Sequence, residues 1–331
     1  MGSKKLIGWI VALAVVAGGL AWYLLATGSE MKTVGISSWA TNPEFDRSVE
    51  SFKKSLAEKG YVEGKNINYI YGIPEANLDK QREIIASFIK QDVDLIYSLT
   101  TPGTIIAKEL TGKMSTPTPV VFSICTYPVE SNLIASLEKS GNNLVGTRNY
   151  VPFPQQYYAF EQLFPNTKSL AIVRRKGEPN STNQSREVKA LLGERGIKVV
   201  DIAAVDLDDI RTQLTSHIGD IDAIFSTCDT LTHNGGDAII AELGKKHKIP
   251  SFACNKSGIL HGQLMGNIGD FGAIAAISGE QAALILQGAD PSWMKTESPR
   301  DSFVVLNETT VKALGIKISE AFSQSVKETV Q

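Results

Sequence analysis

The sequence predicts an α/β protein built as two doubly wound, Rossmann-like lobes. Three observations carry that reading. Apolar, strand-like runs alternate with amphipathic helical patterns from Thr33 onward, the alternation restarts midway through the chain, and the residues following the strands are rich in hydroxyls and amides. At 331 residues, 43% hydrophobic and 21% charged, the chain can bury a substantial core in one large or two medium domains.

KTVGISSW (32–39) reads as the first strand, and Glu44 to Lys59 as a helix, because Val49, Phe52 and Leu56 fall at helical spacing and Gly60 stops it. INYIYGI then leads to a helix from Leu78 to Lys90, DLIYSL to a helix from about Gly103 to Leu110, and TPVVFSIC to the exit NNLVGTRNY. After VPFPQQ the pattern resumes with a helix Gln155 to Leu163, strand SLAIVRR, helix Asn183 to Arg195, strand IKVVDIAAV, helix Asp208 to His217 and strand AIFSTC. Helix Gly236 to Lys246, strand IPSFAC, the stretch LHGQLMGNIG, helix Ala273 to Gln287, strand SFVVLN and a short final helix complete the chain. The expected division puts 31–147 and 255–288 in lobe 1, and 148–254 and 289–331 in lobe 2.

The first thirty residues form a separate object. Lys4 and Lys5 precede Leu6 to Ala26, twenty-one residues without a charge. About 20 apolar residues match the thickness of a bilayer, with the lysines on the cytoplasmic side. A cleaved signal peptide is the competing reading, with Ala26-Thr27-Gly28 as its small-residue site, but secretory apolar regions run shorter. Either way, residue 31 onward is expected outside the cytoplasm, anchored by the N-terminal transmembrane helix or released after cleavage. Only Cys125, Cys228 and Cys254 occur there, too few for a disulfide scaffold. Each ends an apolar run, so they read as small buried residues, with a Cys228–Cys254 bridge as a minor alternative.

A formal net charge of −2 offers no footprint for nucleic acid. None of the four histidines comes with a triad motif, and G-x-S-x-G, the P-loop, G-x-G-x-x-G after a strand, H-E-x-x-H and the EF-hand loop are all absent. These absences point away from an enzyme, a catalytic residue, a cofactor or a metal. What remains suits a small polar molecule, because ligands of open parallel sheets bind beyond the carboxyl ends of the strands. At those ends stand Trp39, Thr100 and Thr101, Ser123 and Tyr127, Asn180 and Ser181, Asp229, and Asn255. The helix start near Gly103, with the two threonines, can accept a carboxylate, although the same residues make an ordinary cap. Asn180 and Ser181 carry the same two readings. Asp229 suits an ammonium group or a turn, and Trp39 and Tyr127 suit stacking on a ligand or packing.

Several collinear stretches resemble a known family: "KSLAEKGYVEGKNINYIYG" (54–72), "VDLIYSLTTPGTIIAKEL" (93–110), "TPVVFSICTYPVESNLIASLEKSGNNLVGT" (118–147), "KGEPNS" (176–181) and "KIPSFA" (248–253). Over about Thr33 to Ile316 the chain is similar to ABC transporter substrate-binding proteins, a family with tryptophan- and tyrosine-binding members. The resemblance implies a type I periplasmic-binding-protein fold, with lobes joined by a multi-strand hinge. It implies ligand contacts at Thr101, Asn180, Ser181 and Asp229, and aligns Asp270 with a usual aspartate. Tyr127 and Asn255 stand where the family often carries aspartate, and Cys228 and Cys254 replace small hydroxyl residues. The implied function is an extracytoplasmic solute-binding protein of an ABC importer. It would capture a small polar, amino-acid-like metabolite, often aromatic in known members, between the lobes and deliver it to permease and ATPase subunits. The N-terminal apolar run also suits a ligand-sensing ectodomain that signals through a separate membrane partner.

Overall fold

The computed structural model describes residues 31–331. The membrane helix expected over 6–26 lies outside them, and among the described residues no helix is long and apolar enough to cross a membrane.

The first lobe is a five-stranded parallel sheet in the order β2-β1-β3-β4-β5, formed by β1 (Lys32–Ser37), β2 (Ile67–Gly72), β3 (Leu95–Leu99), β4 (Val120–Ser123) and β5 (Leu144–Thr147). Its crossover helices are α1 (Pro43–Glu58), α2 (Leu78–Lys90) and α3 (Thr101–Thr111). Strands β3 and β4 are buried along their whole length, as expected of a parallel sheet covered on both faces. The core on one face includes Val34, Ile36, Phe52, Leu56, Leu95 and Tyr97, with Phe52 stacked on Tyr97 at 3.8 Å between ring centroids. Ile85, Phe88, Ile96, Ile106 and Phe122 fill the other.

The second lobe is a seven-stranded sheet in the order β12-β11-β10-β9-β8-β6-β7. It runs from α4 (Phe153–Glu161) and β6 (Ser169–Arg175) through α5 (Pro179–Glu194), β7 (Lys198–Ala204), α6 (Leu207–Ser216) and β8 (Ala223–Ser226). A wide turn of π-helix over Thr232–Gly236 then leads into α7 (Asp237–His247), β9 (Ser251–Ala253), α8 (Lys256–Leu260) and β10 (Met265–Ile268). Phe153, Phe160, Phe225 and Phe252 form a stacked aromatic core beneath it.

After β10 the chain crosses back, and α9 (Phe271–Leu286) packs along α1 in the first lobe. The two helices approach closely enough that a Cβ on Gly279 would lie 2.6 Å from that of Ser55. The final elements are β11 (Phe303–Asn307), antiparallel to β10, then α10 (Glu308–Leu314), α11 (Glu320–Ser325) and β12 (Val326–Val330), parallel to β11.

Three expectations need correction here. The return to lobe 1 comes at about residue 270, not 255, because β10 hydrogen-bonds between β9 and β11 and keeps 255–268 in the second sheet. Residues 289–297 in turn stay with the first lobe, where Glu297 bridges to Thr147 and its backbone carbonyl accepts from the Arg148 N–H. The short final helix is followed by a strand: VKETV alternates in burial and adds to the sheet edge. Three segments without regular secondary structure, 148–152, 269–270 and 298–302, connect the lobes where a multi-strand hinge is expected.

Candidate functional site

The carboxyl ends of both sheets face each other across a gap. From lobe 1 come Thr100 and Thr101, between β3 and α3, with Ile124 and Thr126 after β4. From lobe 2 come Glu178 and Asn180, at the start of α5, with Cys228, Asp229, Thr230 and His233 after β8. Asn149 closes the hinge side. The gap is narrow, about 10 Å³, and opens outward into a cleft of about 490 Å³. Glu178 and Thr230 line both, and Trp39, Leu78, Pro102 and Ile105 face Arg175, Lys176 and Pro179 across the outer part.

Local backbone shapes this edge. Thr100 has φ 69° and ψ 158°, and Ile124 has φ 62°. Non-glycine residues held at positive φ store of order 1–3 kcal/mol each, and such strain concentrates at functional sites. The strained pair is tied together, since the Thr100 N–H donates to the carbonyl of Ser123 at 3.0 Å. Thr100 therefore stands just ahead of α3 without capping it: neither its hydroxyl nor that of Thr101 has a partner, and both residues are buried. The first-turn N–H groups of α3 add a positive end to the same spot.

Unpaired buried polar atoms are uncommon in folded proteins, and here they converge. Besides the two threonine hydroxyls, Asn180 Oδ1 and His233 Nε2 line the gap without a partner, and Trp39 Nε1 is unpaired in the outer cleft. Asn180 Nδ2 is occupied by the carbonyl of Cys228, which fixes the orientation of the amide.

The acidic residues behave differently from expectation. Asp229 is buried, and its carboxylate already accepts four bonds: Leu231 N–H at 2.8 Å and Thr232 N–H at 2.9 Å on Oδ1, Arg175 N–H at 2.8 Å and Thr227 Oγ1 at 2.7 Å on Oδ2. It organises the turn after β8, and its lone pairs are spent on the protein. Glu178 is the acid that sequence reading missed. It accepts from Thr230 Oγ1 at 2.6 Å, while burial first and the Asp229 charge second push it up to about 7. Arg175 reaches the same group, donating to Thr230 Oγ1 at 2.9 Å.

The remaining expected residues divide. Ser123 lies behind the gap, its hydroxyl 2.8 Å from that of Ser278 on α9. Ser181 donates to the carbonyl of Arg175 at 2.8 Å and serves the start of α5, which begins at Pro179 and not at Asn183. Asn255 caps α8 by accepting the Gly258 N–H at 3.2 Å. Asp270 caps α9 and pairs with Arg47 at 3.0 Å, in a separate groove beside the hinge. Tyr127 does not offer a stacking face: its hydroxyl donates to Glu187 on α5, across the cleft, where Tyr150 and the Phe153 N–H also bind at 3.0 and 3.1 Å. Cys228 and Cys254 are joined in a disulfide, so the reading as separate small residues fails; Cys125 is free and buried. The bridge pins the ends of β8 and β9 where both meet the gap.

His233, Glu178 and Glu187 left no sequence signal beyond their type. Among the described residues no cluster of His, Cys, Asp and Glu is arranged to hold a metal ion.

With this geometry in hand, comparison with known proteins is informative. Residues 33–330 match the family described as ABC transporter substrate binding protein. A tyrosine-binding protein of Clostridioides difficile is 26% identical over 288 residues, covering 87% of this chain and 82% of that protein. Among solved structures, an ABC domain from Streptococcus pneumonia in complex with L-Trp gives a TM-score of 0.84 at 22% identity, covering 91% of this chain and all of the other. A conserved domain protein from Vibrio cholerae gives 0.84 at 26% identity over the same shares. The ligand-free, open structure of a substrate binding protein with adhesive properties from Clostridium difficile gives 0.71 at 24%, covering 91% and 99%.

Proposed function

Because the chain belongs to the ABC transporter substrate-binding protein family, we propose that it is the extracytoplasmic receptor of an importer, taking an amino acid with an aromatic or apolar side chain between its lobes. The observation that carries this is the convergence of unpaired, buried polar atoms from both lobes on one gap. A zwitterionic head group satisfies them, with its carboxylate at the α3 start on Thr100 and Thr101. The side chain then extends into the outer cleft between Trp39, Pro102 and Ile105 on one lobe and Pro179 on the other, a space within the size range of small-molecule sites. The tyrosine-binding relative and the L-Trp complex support the same class of solute.

The narrow gap itself has room for about one water molecule, so entry of the head group requires the lobes to part about the three hinge segments and close again. A permease would read the closed form, and the apolar run ahead of residue 31 would hold the receptor at the membrane.

A thermal-shift screen over the twenty amino acids and their decarboxylated and deaminated analogues tests the reading. A ligand that binds only the folded state raises the melting temperature by an amount that grows with the logarithm of its concentration over its Kd. Stabilisation by L-tyrosine, L-tryptophan or another apolar L-amino acid is expected; a screen in which no amino acid shifts the transition would remove the assignment.

A further inference from the structure

We propose that His233, together with Asn180, is the seat of the ligand's ammonium group, in place of the acidic Asp229 that the sequence suggests. The assignment rests on the amino-acid reading above and sorts the unpaired atoms of the gap by what they can offer.

His233 sits on the π-helical turn after β8, 6% exposed, with the rings of Phe45 and Phe271 edge-on at 6.1 Å each. Both phenylalanines belong to lobe 1, so His233 reaches across the cleft as a wedge from lobe 2. Asn255 and the backbone of Asp229 stand beside the ring. Nε2 has no partner, and His233 lines the gap; with the proton of the neutral ring on Nδ1, the tautomer this assignment requires, Nε2 presents a lone pair. Burial lowers this imidazole to about 4, which keeps it neutral and an acceptor at physiological pH.

Asn180 offers a second acceptor. With its Nδ2 held by the Cys228 carbonyl, its Oδ1 is the free end of the amide. Two neutral acceptors on lobe 2 thus face two free hydroxyls and a helix start on lobe 1. The first pair requires a ligand that donates, the second favours one that accepts. An α-amino acid meets both at once, its ammonium to lobe 2 and its carboxylate to lobe 1. Asp229 and Glu178 also line the gap, but the assignment needs no direct bond from either to the ammonium.

The shape of the turn is part of the device. Gly235 sits at φ 119°, where a side chain would be strained and its Cβ would approach Leu207 at 3.0 Å. The backbone leaves helical geometry at Asn234 (φ −97°, ψ 42°) and Gly235, and this kink separates His233 from the register of α7.

The experiment compares the amine-bearing ligand with its des-amino counterpart, L-tyrosine against 3-(4-hydroxyphenyl)propanoate, by calorimetric titration of the wild-type protein, His233→Leu, His233→Gln and Thr101→Val. A hydrogen bond to a charged group corresponds to roughly 10- to 100-fold in affinity. His233→Leu should lose that factor for L-tyrosine and less for the des-amino acid, so the preference for the amine collapses. His233→Gln, which retains an acceptor, should recover part of it, whereas Thr101→Val should weaken both ligands alike. If His233→Leu keeps the full wild-type preference for the amine, the assignment is wrong while the receptor reading stands. If wild-type protein binds neither L-tyrosine nor any other amino acid, the receptor reading fails and takes this assignment with it.

Discussion

At the scale of single residues, burial decides what each polar group does. Asp237 begins α7, wholly buried; its Oδ1 accepts from Gln263 at 2.7 Å and its Oδ2 has no partner. Burial pushes it up to about 8. A carboxyl raised in the folded state keeps its proton while the unfolded chain has already released one. Its stabilising contribution is therefore present below the ordinary carboxylate range near pH 4 and is lost as pH rises through about 8. Glu178, raised to about 7, has the same sign. His233, lowered to about 4, has the opposite sign, but its window closes near pH 6.5. Melting temperature is thus expected to fall between pH 6.5 and about 8, and Asp237→Asn should flatten much of that fall. An unchanged slope in the variant would show that Asp237 is ionised in the native state. The contrast with Asp229 explains why the sequence misled here: whether a carboxylate at a strand end is free or saturated depends on neighbours that come from Arg175 and Thr227, fifty-four and two positions away. Residue type and strand-end position single out Thr100, Thr101, Asn180 and Asp229, which line the gap; they carry no information on which atoms remain unpaired.

At the scale of elements, the long periodic segments were legible and the short ones were not. Strands β3, β4, β6 and β8 each match an apolar run, since parallel strands buried on both faces read as continuous hydrophobic stretches. The five-residue α8, KSGIL, is too short to show a helical period, and MGNI in β10 is masked by flanking glycines. That masking misplaced the lobe boundary. The Cys228–Cys254 bridge was equally hidden, because a spacing of 26 residues says nothing until β8 and β9 are known to be neighbours. In the structure it closes a loop containing the π-helical turn and α7, and it steadies Cys228, whose N–H donates to Gln184 at 2.7 Å. Closing a loop of this size contributes roughly 3 kcal/mol in the chain-entropy account. Reduction, or Cys228→Ser with Cys254→Ser, is expected to lower the melting temperature by several degrees and to weaken ligand binding, as read by thermal unfolding with and without reductant. Identical transitions would mean the bridge does not form in the native protein.

At the scale of the whole molecule, the fold is two sheets whose carboxyl edges meet, and function lies in how firmly they meet. Glu187 gathers the Tyr127 hydroxyl from lobe 1, the Tyr150 hydroxyl from the hinge and the Phe153 N–H from the start of α4. This cluster bridges the lobes through residues outside the gap lining, so under the proposed receptor reading it is expected to latch the lobes together. Tyr127→Phe and Glu187→Gln should open the ligand-free protein, seen as a larger radius of gyration in small-angle X-ray scattering. Loss of one net hydrogen bond corresponds to roughly 3- to 10-fold faster ligand release. An unchanged radius in both variants would place the closing force elsewhere, at the Phe45 and Phe271 contacts of His233.

The central claim, that both lobes supply complementary partners to one amino-acid head group, is tested most directly by a crystal structure of the protein with L-tyrosine or L-tryptophan. The account predicts the carboxylate within hydrogen-bond distance of Thr100 or Thr101, the ammonium on His233 Nε2 and Asn180 Oδ1, and the side chain beside Trp39. Density for the amino acid outside the gap, such as in the groove beside Asp270, or an ammonium bonded to Asp229 with His233 turned away, would contradict it.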